Sequence, residues 1–188
     1  MKRALFLLVL LLSAGIAANA QFKFGLKAGM NIASVNVDDT DSKVGVTAGI
    51  LGQYRFGERW AIQPEVLFNM QGFKHKVYGG EESLTFGYVS IPVMAQFYII
   101  DGLSIELGPQ VGILALAKSK IGDRPKEDVK DKVETVEVAI STGIAYELPS
   151  IPLGFFARFT AGLTEISKPS WGEDVKNQSF QLGAFVKF

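Results

Sequence analysis

The chain has 188 residues, no cysteine, and 19 basic against 19 acidic side chains. The lack of cysteine excludes a disulfide framework and a cysteine-linked lipid anchor. The balanced charge excludes the basic field that nucleic acid binding requires, so no nucleic acid partner is expected. Apolar residues make up 48% of the sequence beside 20% charged residues, which indicates that the apolar side chains are segregated onto one face.

The first twenty residues have the features of a secretory signal peptide. Residues 1–3 are a short positive start, residues 4–12 are an apolar run, and Ala18-Asn19-Ala20 is an Ala-x-Ala cleavage site. The apolar run is too short for a membrane-spanning helix. We therefore predict that residues 1–20 are removed after Ala20 and that residues 21–188 form the mature domain. The alternative is a retained membrane anchor.

Eight segments alternate apolar and polar residues with a period of two, which is the pattern of β-strands with one apolar face. In chain order they lie near residues 22–33, 43–56, 59–73, 85–99, 102–117, 133–148, 152–165 and 178–188. Their length suits tilted strands that cross a bilayer, which need about 9–11 residues. The first and last segments match in pattern. We therefore predict an all-β fold, an eight-stranded antiparallel up-and-down transmembrane β-barrel.

The connections between these segments alternate in length. Tight turns are expected at 56–59, 100–102 and 149–152, and long polar loops at 34–42, 74–84, 118–132 and 166–177. Short periplasmic turns and long external loops are typical of outer-membrane barrels. This alternation of short and long connections predicts four external loops and places both ends of the mature domain on the periplasmic side.

Aromatic residues on the apolar face concentrate at the short-turn end, as in an aromatic girdle at a membrane interface. The predicted girdle consists of Phe22, Phe24, Tyr54, Phe56, Trp60, Phe97, Tyr146, Phe155 and Phe188. The alternative is a set of ordinary core aromatics.

The opposite face is polar and rich in glycine, and its charges nearly cancel. Its predicted charged members are Lys23, Lys27, Arg55, Glu65, Glu106, Glu137, Glu147, Arg158 and Lys187. Eight strands enclose a bore just wide enough to be filled by side chains, and buried charges are costly unless they pair. We therefore predict a plugged interior and no pore. We also expect Lys187 to lie near Lys23, with Glu147 or Glu65 as counter-charge.

Three prolines stand inside predicted strands, at Pro64, Pro92 and Pro109. Proline donates no hydrogen bond to a ladder, so each should mark a bulge or a locally broken pair.

Four stretches resemble motifs of the PorT-like outer-membrane β-barrel proteins of the Bacteroidetes type. They are Ile-Gln-Pro-Glu-Val-Leu-Phe at 62–68 with Gln71-Gly72, Tyr-Val-Ser-Ile-Pro-Val at 88–93, Gly-Pro-Gln-Val-Gly at 108–112 and Gly-Leu-Thr-Glu-Ile at 162–166. Ser90 and Gln96 depart from the Glu and Lys that this family often has. The resemblance implies a barrel in the outer membrane of a Gram-negative cell. The family's namesake is an accessory of a protein-secretion and gliding system, which gives one alternative role.

The sequence offers little for catalysis or metal binding. His75 is the one histidine, Ser83 is the nearest loop serine, and no Gly-x-Ser-x-Gly is present. Asn36, Asp38, Asp39 and Asp41 lack the remaining features of a calcium loop. We therefore predict no enzyme activity, no cofactor and no metal.

The expected partners of the predicted barrel are outer-membrane lipid and, during insertion, the barrel-assembly machinery. The barrel is expected to be a monomer. A soluble lipocalin-like periplasmic barrel, with its apolar face inward around a ligand, remains open because period-two alternation does not separate inside from outside.

Overall fold

The computed structural model describes residues 21–35, 40–77, 80–121, 127–129, 134–165 and 176–188. Within these ranges there are eight long strands and one two-residue strand. They are β1 (Phe22–Val35), β2 (Thr40–Phe56), β3 (Trp60–Val77), β4 (Gly80–Ile100), β5 (Leu103–Ile121), β6 (Glu127–Asp128), β7 (Val136–Glu147), β8 (Leu153–Gly162) and β9 (Asn177–Lys187). No helix in the described residues is long and apolar enough to cross a membrane.

The long strands close into an antiparallel barrel. Neighbours follow the order β4-β3-β2-β1-β9-β8-β7-β5, and a β4–β5 pairing completes the ring. The last strand closes on the first, with register from Gly25↔Lys187 to Val35↔Asn177. The prediction of a closed eight-stranded antiparallel barrel is confirmed.

The apolar face of every long strand lies outside the barrel. Leu26 on β1 is 56% exposed and Leu107 on β5 is 55% exposed, whereas their polar neighbours Lys27 and Glu106 are buried inside. This arrangement is the opposite of a lipocalin-like barrel, whose apolar face lines a ligand cavity.

Several strands are longer than predicted at the long-loop end, and the predicted loop at 74–84 is wrong. β3 and β4 run on to the pair Val77↔Gly80, and β5 continues to Ile121. These stretches are polar, so they lack the alternation that marks a lipid-facing strand. Backbone pairing needs no apolar face, and the ladder continues. We call residues 40–43, 73–77, 80–85 and 116–121 the sheet extension.

At the same end, the strands on the other side of the barrel are shorter than predicted. β7 begins only at Val136 and β8 already ends at Gly162. The described wall is therefore taller on the β2–β5 side than on the β7–β9 side.

The three prolines interrupt pairing without changing register. Pairing between β3 and β4 stops at Pro64↔Val93 and resumes in the same register at Leu67↔Ser90. A similar gap follows Pro92↔Gln110 between β4 and β5. Pro109 lies within this second gap, and Pro64 lies in a further gap between β2 and β3, from Leu51↔Glu65 to Tyr54↔Ile62. Each proline therefore lies at a locally broken pair, as expected.

The bulges lie at other places. A register shift between Gly87 and Tyr88 on β4 faces Ala115 on β5. Beyond it the inward positions of β5 change from Leu114 to Ala117 and Ser119, which are buried. The alternation in β5 therefore changes phase where the strand enters the sheet extension.

Two glycines shape the tight turns. Gly57 and Gly102 have φ of 76° and 81°, a region that side chains other than glycine rarely adopt. A Cβ on Gly102 would also lie 2.3 Å from the Glu147 carbonyl oxygen. These turns define the short-turn end of the barrel.

Candidate functional site

Four buried charged side chains cross the bore. The Glu65 carboxylate accepts hydrogen bonds from Arg158 Nη1 at 2.7 Å and Nη2 at 2.8 Å, and from Lys27 Nζ at 3.1 Å. Glu106 Oε1 accepts from Arg158 Nε at 2.8 Å. All four residues are at most 3% exposed. We call Lys27, Glu65, Glu106 and Arg158 the charge bar.

The topology explains why these four residues meet although they are far apart in sequence. Glu65 is on β3, Lys27 on β1, Arg158 on β8 and Glu106 on β5, so every second strand around the ring supplies one member. Glu65 and Arg158 therefore come from opposite walls. Two positive and two negative charges balance, which is what buried ions require.

Neutral side chains complete the hydrogen bonding of the charge bar. Gln63 Nε2 donates to Glu65 at 2.7 Å and Gln96 Nε2 donates to Glu106 at 3.3 Å. Gln53 Nε2 donates to Gln96 at 2.5 Å. The Lys27 ammonium lies 3.9 Å from the centre of the Phe156 ring. The bar is thus held by a polar shell and fills the bore at its level.

A second ion-pair group lies at the short-turn rim. Glu147 accepts a hydrogen bond from Lys187 Nζ at 2.7 Å and lies 3.9 Å from Lys23 Nζ. The Tyr98 hydroxyl also donates to Glu147, and the Arg55 guanidinium stacks over the Tyr98 ring at 3.9 Å. Glu147 is the counter-charge shared by the two lysines. Lys23 lies at the rim, with 46% of its side chain exposed, and has the same strand parity as the buried Lys27.

Glu137 is the remaining predicted interior charge, and it lies toward the long-loop end. It is 2% exposed, and Asn177 Nδ2 donates to its Oε1 at 2.9 Å. In the described part of the chain no basic side chain forms an ion pair with it.

The interior at the long-loop end is apolar, which the prediction of a wholly polar bore missed. The buried cluster there consists of Val35, Phe73, Leu84, Phe86, Tyr88, Leu114, Ala117 and Val129. We call this cluster the apolar cap. Leu84, Phe86 and Tyr88 share the parity of the buried Ser90, which is the signal that could have found it.

The predicted girdle residues lie outside the barrel at the short-turn end. Several of them are paired across neighbouring strands: Phe22 with Tyr54, Phe56 with Trp60 and Tyr146 with Phe155. The rings of Trp60 and Phe97 lie 4.9 Å apart. Phe188 is 73% exposed, and its amide donates to the Phe24 carbonyl at 2.7 Å. The nine residues thus come from strands that are neighbours around the ring.

The weak candidates for chemistry are dispersed or lie outside the described residues. His75 is a β3 residue paired with Thr40 and Glu82 in register, and Ser83 accepts a hydrogen bond from Lys43 at 2.8 Å. Ala18, Ala20, Asn36, Asp38 and Asp39 lie outside the described residues. Among the residues described, no three His, Asp or Glu side chains are grouped to hold a metal.

Comparison with known proteins gives one family. The family model described as "Outer membrane protein beta-barrel domain" matches residues 15–168. No curated protein sequence matches the chain significantly.

Solved structures share the fold at low sequence identity. Ail, the attachment invasion locus protein of Yersinia pestis, is similar with a TM-score of 0.55 and 18% identity over 89% of this chain and 99% of that chain. Neisserial surface protein A is similar with a TM-score of 0.50 and 16% identity over 90% of this chain and 98% of that one. At this identity the likeness shows a common barrel architecture.

Proposed function

Because this chain belongs to the family of outer membrane protein beta-barrel domains, we propose that it is a closed outer-membrane scaffold with a structural or recognition role at the cell surface. The charge bar carries this proposal. A salt bridge from wall to wall occupies the bore at its level and leaves activity to the ends of the barrel. The proposal includes no catalysis and no cofactor.

Planar-bilayer recording tests the closed bore. The wild-type barrel is expected to show no stable conductance steps, because the Arg158–Glu65 pair spans the bore. The double variant E65A/R158A removes both side chains and should conduct where the wild type does not. Stable conductance of the wild-type barrel would overturn the closed scaffold.

Membrane extraction tests the proposed location and the lipid partner. The girdle and the outward apolar face predict that sodium carbonate leaves the protein in the membrane fraction. The folded barrel should also migrate differently on a gel before and after boiling. Release by carbonate without such a shift would refute a membrane role. The same proposal includes removal of residues 1–20 as a signal peptide. It also includes insertion of the barrel, as a monomer, by the barrel-assembly machinery.

The sheet extension is our candidate for the recognition surface. β4 has 21 residues, whereas a strand needs about 9–11 residues to cross a bilayer. The sheet extension therefore projects beyond the bilayer. Lys118 and Lys120 are exposed on it. Ail, which shares this architecture, carries attachment and invasion in its name and has been solved with the heparin analogue sucrose octasulfate. We propose that this chain likewise uses the long-loop end to contact a partner outside the cell.

Site-specific photocrosslinking on intact cells tests this surface. A photoreactive residue at position 118 or 120 should give specific crosslinks, whereas the same residue at Glu58, in a turn at the opposite end, should give none outside the cell. Equal patterns at both ends would contradict the proposal. Membership of the PorT-like group and a part in secretion remain alternatives. A deletion strain that secretes normally would eliminate the secretion role.

A further inference from the structure

Glu137 is the interior charge that no described basic side chain compensates. The charge bar is balanced, and Glu147 is neutralised at the rim by Lys187. Glu137 Oε1 accepts one hydrogen bond, from Asn177, while Glu137 Oε2 has no partner. A buried, unpaired carboxylate is costly, so either a proton or a bound cation must neutralise it.

Three more buried oxygen atoms in this part of the barrel lack partners. The Tyr88 hydroxyl, Ser90 Oγ and Asn177 Oδ1 make no hydrogen bond of normal geometry, and each of these residues is at most 3% exposed. Asn177 lies beside both Glu137 and the Tyr88 hydroxyl. Buried polar groups are nearly always satisfied, so this set of oxygens requires an occupant.

Two glycines lie close to the carboxylate. Gly112 pairs in register with Ser90 on one side and with Glu137 on the other. A Cβ on Gly112 would lie 3.3 Å from both Glu137 Oε2 and Tyr88 Cδ1, and a Cβ on Gly162 would lie 3.3 Å from Glu137 Oε1. These distances are shorter than most Cβ contacts, so a side chain at either position would crowd the carboxylate.

We propose that Glu137, Asn177, Tyr88 and Ser90 form an internal site for a small monovalent cation such as Na⁺ or K⁺. The ligands are hard oxygen atoms, which suit an alkali or alkaline-earth cation. They carry a single negative charge, so a monovalent cation neutralises the site, whereas a divalent cation would leave a buried positive charge. Tyr88 belongs to both this site and the apolar cap.

Thermal unfolding in detergent micelles tests the site. The protein is refolded and melted in NaCl, KCl or choline chloride at equal ionic strength, because choline is too large for the site. At an alkali-ion concentration ten times Kd, the Tm should exceed that in choline by about 3–6 °C. Equal Tm values in all three salts would overturn the proposal.

Substitutions locate the effect. E137Q removes the charge and should abolish the difference between salts. E165Q changes an exposed carboxylate and should retain the full difference. Y88F removes one proposed ligand, keeps the buried ring, and should reduce the difference. If E137Q fails to fold, Y88F still decides: an unchanged salt dependence in Y88F would contradict the proposed ligand set.

A change of ion specificity provides a gain-of-function test. N177D places a second carboxylate beside Glu137, so Ca²⁺ should raise the Tm of N177D and leave that of the wild type unchanged. Crystals soaked in thallium(I) should show an anomalous peak beside Glu137 in the wild type and none in E137Q. Ordered water alone at this position would refute the cation site.

Discussion

Glu65 faces two buried cations at once, Arg158 and Lys27, and this makes it the most informative residue to change. E65Q keeps the shape of the side chain but leaves Lys27 and Arg158 with Glu106 as their remaining anion. Breaking a buried ion pair from one side costs about 3–5 kcal/mol, so E65Q should be destabilised by that amount. Urea unfolding in micelles measures it, with E58Q in an exposed turn as the control. A loss below about 1 kcal/mol would show that the interior is hydrated.

The charge balance of the bar makes a further prediction. K27M leaves the bar with an excess of negative charge, as E65Q leaves it with an excess of positive charge, and both should be destabilised. The double variant K27M/E65Q retains the balanced Arg158–Glu106 pair, whose Nε–Oε1 distance is 2.8 Å. Its loss should therefore be smaller than the sum of the single losses by about 1–3 kcal/mol. Additive losses in the unfolding free energy would contradict the idea that net charge governs this network.

At the level of strands, the closing pair β1–β9 depends on a close approach of two backbones. Gly29 and Gly183 face each other in register, and a Cβ on Gly183 would lie 2.2 Å from the Ala28 carbonyl oxygen. G183A should therefore force the two strands apart and cost about 1–3 kcal/mol. G52A is the matched control, because its Cβ would meet only side-chain carbons of Phe22 and Phe24. Similar unfolding midpoints for both variants would mean that the β1–β9 pair tolerates a wider separation of its two backbones.

The end of β9 supplies a second prediction for the same seam. Phe188 contributes the amide that bonds to Phe24 and an exposed ring at the girdle. Removing Phe188 should slow insertion into vesicles that contain the assembly machinery, while F188Y, which keeps both features, should insert normally. The heat-dependent gel shift followed over time measures the rate. Insertion of the truncated chain at the wild-type rate would contradict a role for this residue in assembly.

Sequence alternation was sufficient for the strands that face lipid and insufficient beyond them. From Trp60 to Phe73 one parity is apolar, and the strand was predicted correctly. The residues after Phe73 are Lys74, His75 and Lys76, which are polar at both parities. A paired strand without an apolar face therefore looks like a loop in the sequence. The shift at Ala115 has no sequence signal, because the residues on both sides of it are apolar.

The interior network shows a different limit. The pairing of Arg158 with Glu65, and of Lys187 with Glu147, depends on the stagger of the strands around the ring. The odd or even position of a residue in its strand predicts whether its side chain points inward. It does not predict which inward side chains lie at the same height along the barrel axis. The inward direction of Glu65 and Arg158 followed from their neighbours, but the bar that they form required the register of all eight long strands.

For the whole molecule, the described bore changes in character from one end to the other. Ion pairs around Glu147 lie at the short-turn rim, and the charge bar follows. The polar site at Glu137 and the apolar cap, which share Tyr88, lie toward the long-loop end. The sheet extension begins at the level of the apolar cap, to which it contributes Phe73, Leu84 and Ala117, so a cut beyond these residues should leave the scaffold intact.

The last prediction tests that separation between scaffold and extension. Phe73 and Leu84 pair directly in register, so residues 74–83 can be replaced by an Asn-Gly turn, which suits a two-residue hairpin. The shortened barrel should keep its heat-dependent gel shift and its Tm within a few degrees, because the cut leaves Phe73 and Leu84 in the apolar cap. It should lose the crosslinks to external partners from positions 118 and 120.

A deeper cut is the matched comparison. Joining Gln71 to Phe86, which also pair in register, removes Phe73 and Leu84 from the apolar cap. These side chains are 5% and 1% exposed, and burial of each contributes about 1.5–3 kcal/mol. The deeper cut should therefore lower the Tm clearly, whereas the shallow cut should not. If both cuts lowered it equally, the extension would be part of the folding core, and the boundary between scaffold and recognition surface would lie elsewhere.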